Sequence, residues 1–212
     1  MMFKKMLMSM IFMTVLIVGG LLFYFNSTTE GLFGKTDSSS RGMLPNTFEN
    51  DTYMYYLTDS QIQKAIKTST TTVDLIENFL LEDEKQGNRS ATAFAYVETP
   101  YLTVVKEARK LYDYTGRRPV LEDVKPNLMD QYLPVHVRFH GNKAYIYDVE
   151  IGQGGDSIQP YKIDNTRGGT AKTIYLDVGK LDFSQPLTIN AVDRVDSSQV
   201  DVFSLDFDKY TP

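Results

Sequence analysis

An uncharged apolar run near the N-terminus constrains the fold of this chain more than any other feature. Lys4 and Lys5 precede the run at 6–25, which contains no charged side chain. A helix of about 20 apolar residues crosses a hydrocarbon core roughly 30 Å thick. The run therefore predicts a transmembrane helix. The two lysines predict that the tip at 1–5 stays in the cytoplasm, because positive charge is retained on that side.

The same run distinguishes an uncleaved signal-anchor from a signal peptide. A signal peptide has a shorter apolar centre of about 7–15 residues, followed by a cleavage site of small residues. Here the apolar run continues through Leu21, Leu22 and Phe23 to Phe25, and no such site follows. We therefore expect the segment to remain as a single-pass anchor in the cell membrane, with the bulk of the chain extracytoplasmic.

The segment at 26–51 has the composition of a flexible stalk. It is rich in serine, threonine and glycine and includes the run from Asp37 to Ser40. Such a segment buries too little apolar surface to offset the entropy lost on ordering. We expect it to separate the anchor from a folded region.

Composition excludes several classes of function for the remaining chain. The 212 residues include no cysteine, and the formal net charge is -5. Without cysteine there is no disulfide framework, no thiolate metal site, no cysteine nucleophile and no lipoprotein anchor. The acidic balance is atypical of nucleic-acid-binding domains, which are usually basic. We therefore expect no nucleic-acid partner.

The region at 52–131 is predicted to be mainly helical. Thr58 and Gln61 form a capping-box pattern before an apolar stripe. A second helix is predicted from Val73 to about Gly87, and a short strand at 91–98. A third helix is predicted to begin at Thr99-Pro100, since threonine caps helices and proline is favoured at their first position.

The region at 132–212 changes to a period of two residues, which is typical of strands. Apolar Val135, Val137 and Phe139 alternate with polar neighbours, and turn residues separate further alternating stretches. Helices first and strands later predict an α+β fold. The whole chain is thus expected to be a transmembrane helix, a flexible stalk and a small helical region followed by an antiparallel β-sandwich or open barrel.

Three polar residues of the first strand form a candidate ligand-binding set. His136, Arg138 and His140 alternate with apolar residues, so we expect them on one strand face. Positions four apart on a strand are separated by about 13 Å, so one metal ion cannot bind both histidines. The alternatives are an anion-binding, pH-sensitive face and an ordinary solvated strand face.

A second candidate set is basic and lies on the helix after Pro100 and its exit loop. On an extracytoplasmic domain it would meet anionic lipid or wall polymer, whereas the alternative is an ordinary solvated helix face. The set comprises Lys106, Arg109, Lys110, Arg117 and Arg118.

Acidic and glycine-rich loops in the C-terminal half imitate ligand sites without completing a motif. Aspartates from Asp193 to Asp208 suit calcium in chemistry, but no EF-hand spacing is present. Gly154-Gly155 and Gly168-Gly169 lack the helix that a phosphate-binding loop needs and are interpreted as hairpin loops. The sequence therefore predicts no metal, cofactor or catalytic residue.

Three functional hypotheses follow from this topology. The first is a non-enzymatic binding or scaffold protein of the cell envelope that contacts a partner protein or wall polymer. The second is an extracytoplasmic hydrolase or carbohydrate-active enzyme, which requires a histidine beside an acid or converging carboxylates in a pocket. The third is an accessory subunit of a membrane complex. Exposed tyrosines beside His136 would favour the first hypothesis.

Overall fold

The computed structural model of the chain describes four ranges: 48–71, 75–84, 90–166 and 168–211. The expected cytoplasmic tip, the anchor at 6–25 and the stalk up to residue 47 lie outside these ranges. Within the ranges, no helix combines the length and apolarity needed to cross a bilayer. Phe48, near the end of the expected stalk, is buried, and its ring stacks on that of Tyr56 with centroids 4.8 Å apart.

The described residues form three α-helices and nine β-strands, joined by turns and short 3-10 segments. The helices are α1 (Asp59–Ser69), α2 (Pro100–Thr115) and α3 (Leu121–Val124). The strands are β1 (Glu82–Asp83), β2 (Thr92–Val97), β3 (Tyr132–Phe139), β4 (Tyr147–Gln153), β5 (Asp156–Ile158), β6 (Lys162–Asn165), β7 (Ala171–Asp177), β8 (Leu187–Asp193) and β9 (Val200–Leu205).

The strands make two antiparallel sheets. One has five strands in the order β1-β9-β8-β4-β5, and the other has four in the order β2-β3-β7-β6. This arrangement confirms the α+β class and the antiparallel pairing. The two sheets do not close into a barrel. The inner faces of both sheets contribute to one hydrophobic core.

Two of the helices begin where the sequence predicts. Thr58 caps α1 in a capping box with Gln61, and Thr99 caps α2 ahead of Pro100. Gly116 ends α2 in the left-handed region at φ 69°, which glycine adopts without steric cost. The two helices pack on each other and bury apolar side chains in the core: Ile62, Ala65, Ile66, Leu102, Val105 and Ala108.

The helix expected from Val73 to about Gly87 is wrong over the residues that the structure describes. A 3-10 turn occupies Ile76–Phe79, and β1 follows. This segment connects the two sheets: the Leu81 amide donates to the Ala95 carbonyl of β2, and β1 pairs with β9. Pairing with both sheets satisfies the backbone groups that a helix would have satisfied internally.

The two ends of the folded region meet in an aromatic cluster. The Tyr55 hydroxyl donates to the Phe207 carbonyl at 2.9 Å, and the Phe183 ring lies 4.8 Å from the Phe207 ring. Nearby, Asp130 Oδ2 accepts the backbone amides of Glu49 and Asn50 at 2.8 and 2.9 Å. These contacts fix the start of the folded region beside its last residues.

Candidate functional site

His136 lies in the middle of the four-stranded sheet, where it connects three strands. Strand pairing aligns Tyr96 of β2, His136 of β3 and Thr173 of β7 in one row. The imidazole Nε2 is 2.7 Å from Glu98 Oε2, and Nδ1 is 3.0 Å from Thr173 Oγ1. The Tyr96 ring stacks on the imidazole at 4.5 Å with an interplanar angle of 12°. Both imidazole nitrogens therefore have partners.

Glu98 is the charged centre of this group. Lys106 Nζ is 2.5 Å from the same Oε2 that His136 contacts. Burial acts to raise the pKa of Glu98, but hydrogen bonds from His136 and Lys106 outweigh it and lower the pKa to about 2. An ionised carboxylate accepts hydrogen bonds and cannot donate them, so His136 Nε2 carries a proton.

The hydroxyl, imidazole and carboxylate of Thr173, His136 and Glu98 form a continuous series. Such a series activates a nucleophile in hydrolases when a substrate can approach the hydroxyl. The His136 side chain is only 17% exposed, and Lys106 also neutralises Glu98. The three residues lie on a sheet face and do not line the larger clefts of the described chain. The arrangement is better suited to holding the imidazole in place than to presenting the Thr173 hydroxyl to a substrate.

Aromatic side chains lie on the same outer face of this sheet as His136, and Tyr96 is the one that contacts the imidazole. The alternation of β2, β3 and β7 directs them away from the core. The Tyr161 ring, just before β6, stacks on the Tyr132 ring at 4.4 Å. We call this surface the aromatic face; its residues are Phe94, Tyr96, Tyr132, Tyr161 and Tyr175.

The three residues of the predicted ligand-binding set differ in their surroundings. His136 and Arg138 share the outer face of β3, and Arg138 lies opposite Phe94. Arg138 is exposed and makes no ion pair or hydrogen bond through its side chain within the described ranges. His140 lies one residue beyond the end of β3 and is exposed. The structure therefore adds Arg138, but not His140, to the surroundings of His136.

The predicted basic patch is divided among separate contacts. Lys106 belongs to the His136 group, and Arg118 donates to Thr70 Oγ1 at 3.4 Å. The other three cations form ion pairs with nearby carboxylates: Arg109 with Asp113, Lys110 with Glu107 and Arg117 with Asp123. Four of the five cations are thus paired with carboxylates, and pairing reduces the net potential that they present.

The acidic loops use their carboxylates locally. Asp193 Oδ1 accepts the Val195 amide at 2.7 Å, and Asp196 accepts hydrogen bonds from Ser198. Asp201 Oδ2 connects the two sheets, because it accepts the amides of Ala91 and Thr92 at 3.0 Å. No group of three potential metal ligands occurs in the described part of the chain.

Both glycine pairs lie in turns between strands, as expected. Gly154 and Gly155 connect β4 to β5 with φ values of 61° and 93°. Gly168 and Gly169 precede β7 with φ values of 84° and 63°. Neither pair is followed by an α-helix, so neither offers the helix dipole that a phosphate loop uses.

A cleft of about 920 Å³ lies where the two ends of the folded region meet. Three carboxylates line it, from Asp130, Asp177 and Asp208, and no lysine, arginine or histidine does. Tyr53, Tyr132 and Phe183 provide aromatic walls. We call this the acidic cleft. Burial and the nearby Asp130 carboxylate raise the pKa of Tyr53, so its phenol stays protonated.

Sequence reasoning missed Glu98, Thr173 and the residues of the acidic cleft. Glu98 follows the alternating stretch of β2 immediately before the cap Thr99, which marks it as the end of a strand. That local signal does not reveal its partners, because His136 and Lys106 lie 38 and 8 residues away along the chain. The cleft joins residues from four separate segments and has no local signature.

No protein-family model, curated protein or solved structure matches this chain. Functional inference therefore depends on the geometry of the aromatic face and the acidic cleft. Each of these surfaces combines aromatic rings with polar groups.

Proposed function

We propose that this chain is a membrane-anchored, extracytoplasmic binding protein of the cell envelope. In this proposal residues 6–25 span the membrane, Lys4 and Lys5 remain in the cytoplasm, and residues 26–51 form a flexible stalk. The folded region binds a partner protein through the aromatic face. Tethering keeps the domain at the membrane surface, which raises its effective concentration towards a neighbouring partner.

The observation that carries the proposal is the row of aromatic side chains on the face that includes His136, with Arg138, whose side chain has no hydrogen bond or ion pair among the described residues, beside them. Tyrosine and arginine are enriched in protein interfaces, since each combines apolar contact area with hydrogen-bond donors. Phe94 is 37% exposed and Tyr161 is 47% exposed, so part of this apolar area is open to a partner. Solvation alone does not explain five rings on the outer side of one sheet.

Ring orientation favours a protein over a wall polymer as the partner. Tyr96 stacks on His136, and Tyr132 stacks on Tyr161, so each ring has one of its two faces covered by its neighbour and fewer faces are open. Binding a sugar by stacking requires an open ring face. Stacked pairs instead offer edges and hydroxyl groups, which pair readily with peptide groups and polar side chains.

Site-specific photocrosslinking in the native cells tests this proposal. A photoreactive phenylalanine analogue replaces Tyr161 on the aromatic face, and the matched control replaces Tyr114, which is 89% exposed at the end of α2. We expect a discrete crosslinked protein from position 161 and not from position 114. The Arg138→Glu variant should remove that product without lowering the amount of the protein.

The other outcomes of that experiment are equally informative. The same products from both positions, or none from position 161, would overturn the aromatic face as a protein-binding surface. Recovery with insoluble wall material would favour the polymer hypothesis instead. In spheroplasts, external protease should remove the folded region, and protection of the residues beyond Asn26 would contradict the orientation.

A further inference from the structure

We propose that the free edge of β6 pairs with the same edge of a second copy of this chain. β6 is the last strand of the four-stranded sheet, so one of its sides has no neighbouring strand in the described part of the chain. This contact is separate from the partner contact at the aromatic face and does not depend on it. Backbone groups, one apolar side chain and a pattern of charges support it.

The backbone of β6 presents unpaired hydrogen-bonding groups at this edge. The Thr166 amide donates to the first residue of β7, and because the hydrogen-bonded pairs of an antiparallel ladder alternate, Lys162 and Asp164 also bond to β7. The backbone amides and carbonyls of Ile163 and Asn165 therefore point away from β7, and they make no hydrogen bond to any described residue. An unpaired row of this kind is a template for another strand.

The apolar side chain at this edge is Ile163, which the domain covers only in part. Ile163 lies opposite Ile174 of β7, on the side of the sheet that faces the core. Ile174 is fully buried, whereas Ile163 is 39% exposed. A strand added beside β6 would cover Ile163 from its open side, and the burial of apolar surface is the main driving force for association.

The charges of β6 are complementary to those of a second, antiparallel β6. A two-fold axis at Ile163 places Lys162 opposite the Asp164 of the second copy, and Asp164 opposite its Lys162. Axes at Lys162 or at Asp164 would instead place like charges opposite each other, which opposes pairing. Within one chain Lys162 Nζ lies 2.8 Å from Asp164 Oδ2, but both side chains are exposed and remain available to a second copy. The charges therefore select the register centred on Ile163.

A second copy fits this edge better than the strand of an unrelated protein. Most soluble oligomers are symmetric, and a two-fold contact uses the same surface on both subunits. Charges at a sheet edge oppose pairing with most other strands, whereas this pattern favours pairing with its own copy. Only residues 159–161 separate β6 from β5, an edge strand of the other sheet, so an edge of each sheet lies on this side of the domain. The pairing would join two four-stranded sheets into one sheet of eight strands.

Disulfide trapping tests this pairing, since the chain contains no cysteine. The Ile163→Cys variant of the full chain is oxidised with copper phenanthroline in dodecylmaltoside micelles. Opposed residues of a hydrogen-bonded antiparallel pair have Cα atoms about 5.5 Å apart, a distance that a disulfide spans. The matched control is Tyr114→Cys, because Tyr114 is 89% exposed and lies on α2. We expect a covalent dimer from position 163 and none from position 114 within the same time.

Charge variants of the Ile163→Cys chain test the register. Asp164→Lys places lysine opposite lysine in both pairs and should slow disulfide formation about tenfold. Lys162→Asp places aspartate opposite aspartate and should slow it to a similar extent. An equal mixture of these two variants, with tags of different size, restores opposite charges and should form mixed dimers at close to the original rate. Asp208→Lys changes the net charge as much as Asp164→Lys does, at an exposed position outside β6, and should leave the rate unchanged.

Each contrary result overturns the pairing of two β6 edges. Equal trapping at positions 114 and 163 would indicate random collision, and no dimer from position 163 would leave the edge to a strand of another protein. An unchanged rate in Asp164→Lys would exclude the register set by charge. Failure of the mixture to recover would exclude the two-fold axis at Ile163. Because misfolded chains would not recover on mixing, the mixture also separates a loss of pairing from a loss of folding.

Discussion

Glu98 shows how a single carboxylate organises one face of the domain. Its Oε2 contacts both His136 Nε2 at 2.7 Å and Lys106 Nζ at 2.5 Å, so one oxygen joins β3 to α2. The side chain is 15% exposed, and water screens these contacts only weakly. A partly buried charge is stable only with partners, and here two donors supply them.

The lowered pKa of Glu98 predicts acid-dependent stability. The folded pKa is about 2 against an ordinary value of 4.5, so the ionised group stabilises the fold above about pH 5. That stabilisation, of the order of 3 kcal/mol, is lost as the pH falls from 5 towards 2. Urea titrations give the free energy of unfolding of the wild type and of Glu98→Gln. The wild-type value minus the variant value should decrease as the pH falls from 5 towards 2.

The matched control for this prediction is Glu150→Gln, an exposed carboxylate on β4. Its difference from the wild type should stay flat over the same range, because the exposed Glu150 side chain makes no hydrogen bond or ion pair within the described ranges. A flat difference for Glu98→Gln as well would show that His136 and Lys106 do not hold the carboxylate in its ionised form.

At the scale of elements, the alternation of apolar residues and the helix-capping residues were sufficient to predict strands and helices wherever a segment buries one regular face. The strands β3, β7 and β8 alternate buried residues with less buried ones, and α1 and α2 begin at the residues that cap them. The same reasoning gave a wrong prediction for the segment at 75–84. Its apolar residues suit a helix, but its backbone pairs with strands from both sheets, and those partners are distant in sequence.

The turn before β7 gives a prediction at this scale. Gly169 has φ 63°, and a Cβ atom added there would overlap the Tyr145 ring and approach the Asn142 carbonyl at 3.1 Å. Gly168 has φ 84°, and its added Cβ would meet nothing within 4 Å. Both alanine variants incur the left-handed backbone cost of about 1–2 kcal/mol. Gly169→Ala should lose about 1 kcal/mol more, since overpacking adds to the strain.

Urea unfolding of the two variants under identical conditions measures this difference. A lower midpoint for Gly169→Ala than for Gly168→Ala is the expected order. Equal midpoints would show that the Tyr145 ring, which is 53% exposed, moves aside at no measurable cost.

At the scale of the molecule, closure of the folded region depends on its last residues. The 3-10 turn Phe207–Tyr210 follows β9 and returns to the first described residues, where Tyr55 donates to the Phe207 carbonyl. The Tyr210 hydroxyl donates to the Leu80 carbonyl at 2.7 Å. The sequence indicates the apolar character of this segment, but not that it packs beside the N-terminal end. The acidic cleft lies at this junction, so its shape depends on contacts that local patterns do not encode.

Phe207→Ala measures how much the closure contributes. Phe207 is 1% exposed, and its ring packs on Phe183, so truncation leaves a cavity where both ends of the folded region meet. The expected loss is about 3–5 kcal/mol, a large fraction of the 5–15 kcal/mol typical of a domain. Val195→Ala is the matched control, because Val195 is 87% exposed and should cost less than about 0.5 kcal/mol. A loss below about 1 kcal/mol for Phe207→Ala in urea unfolding would show that the C-terminal turn does not hold the two ends together.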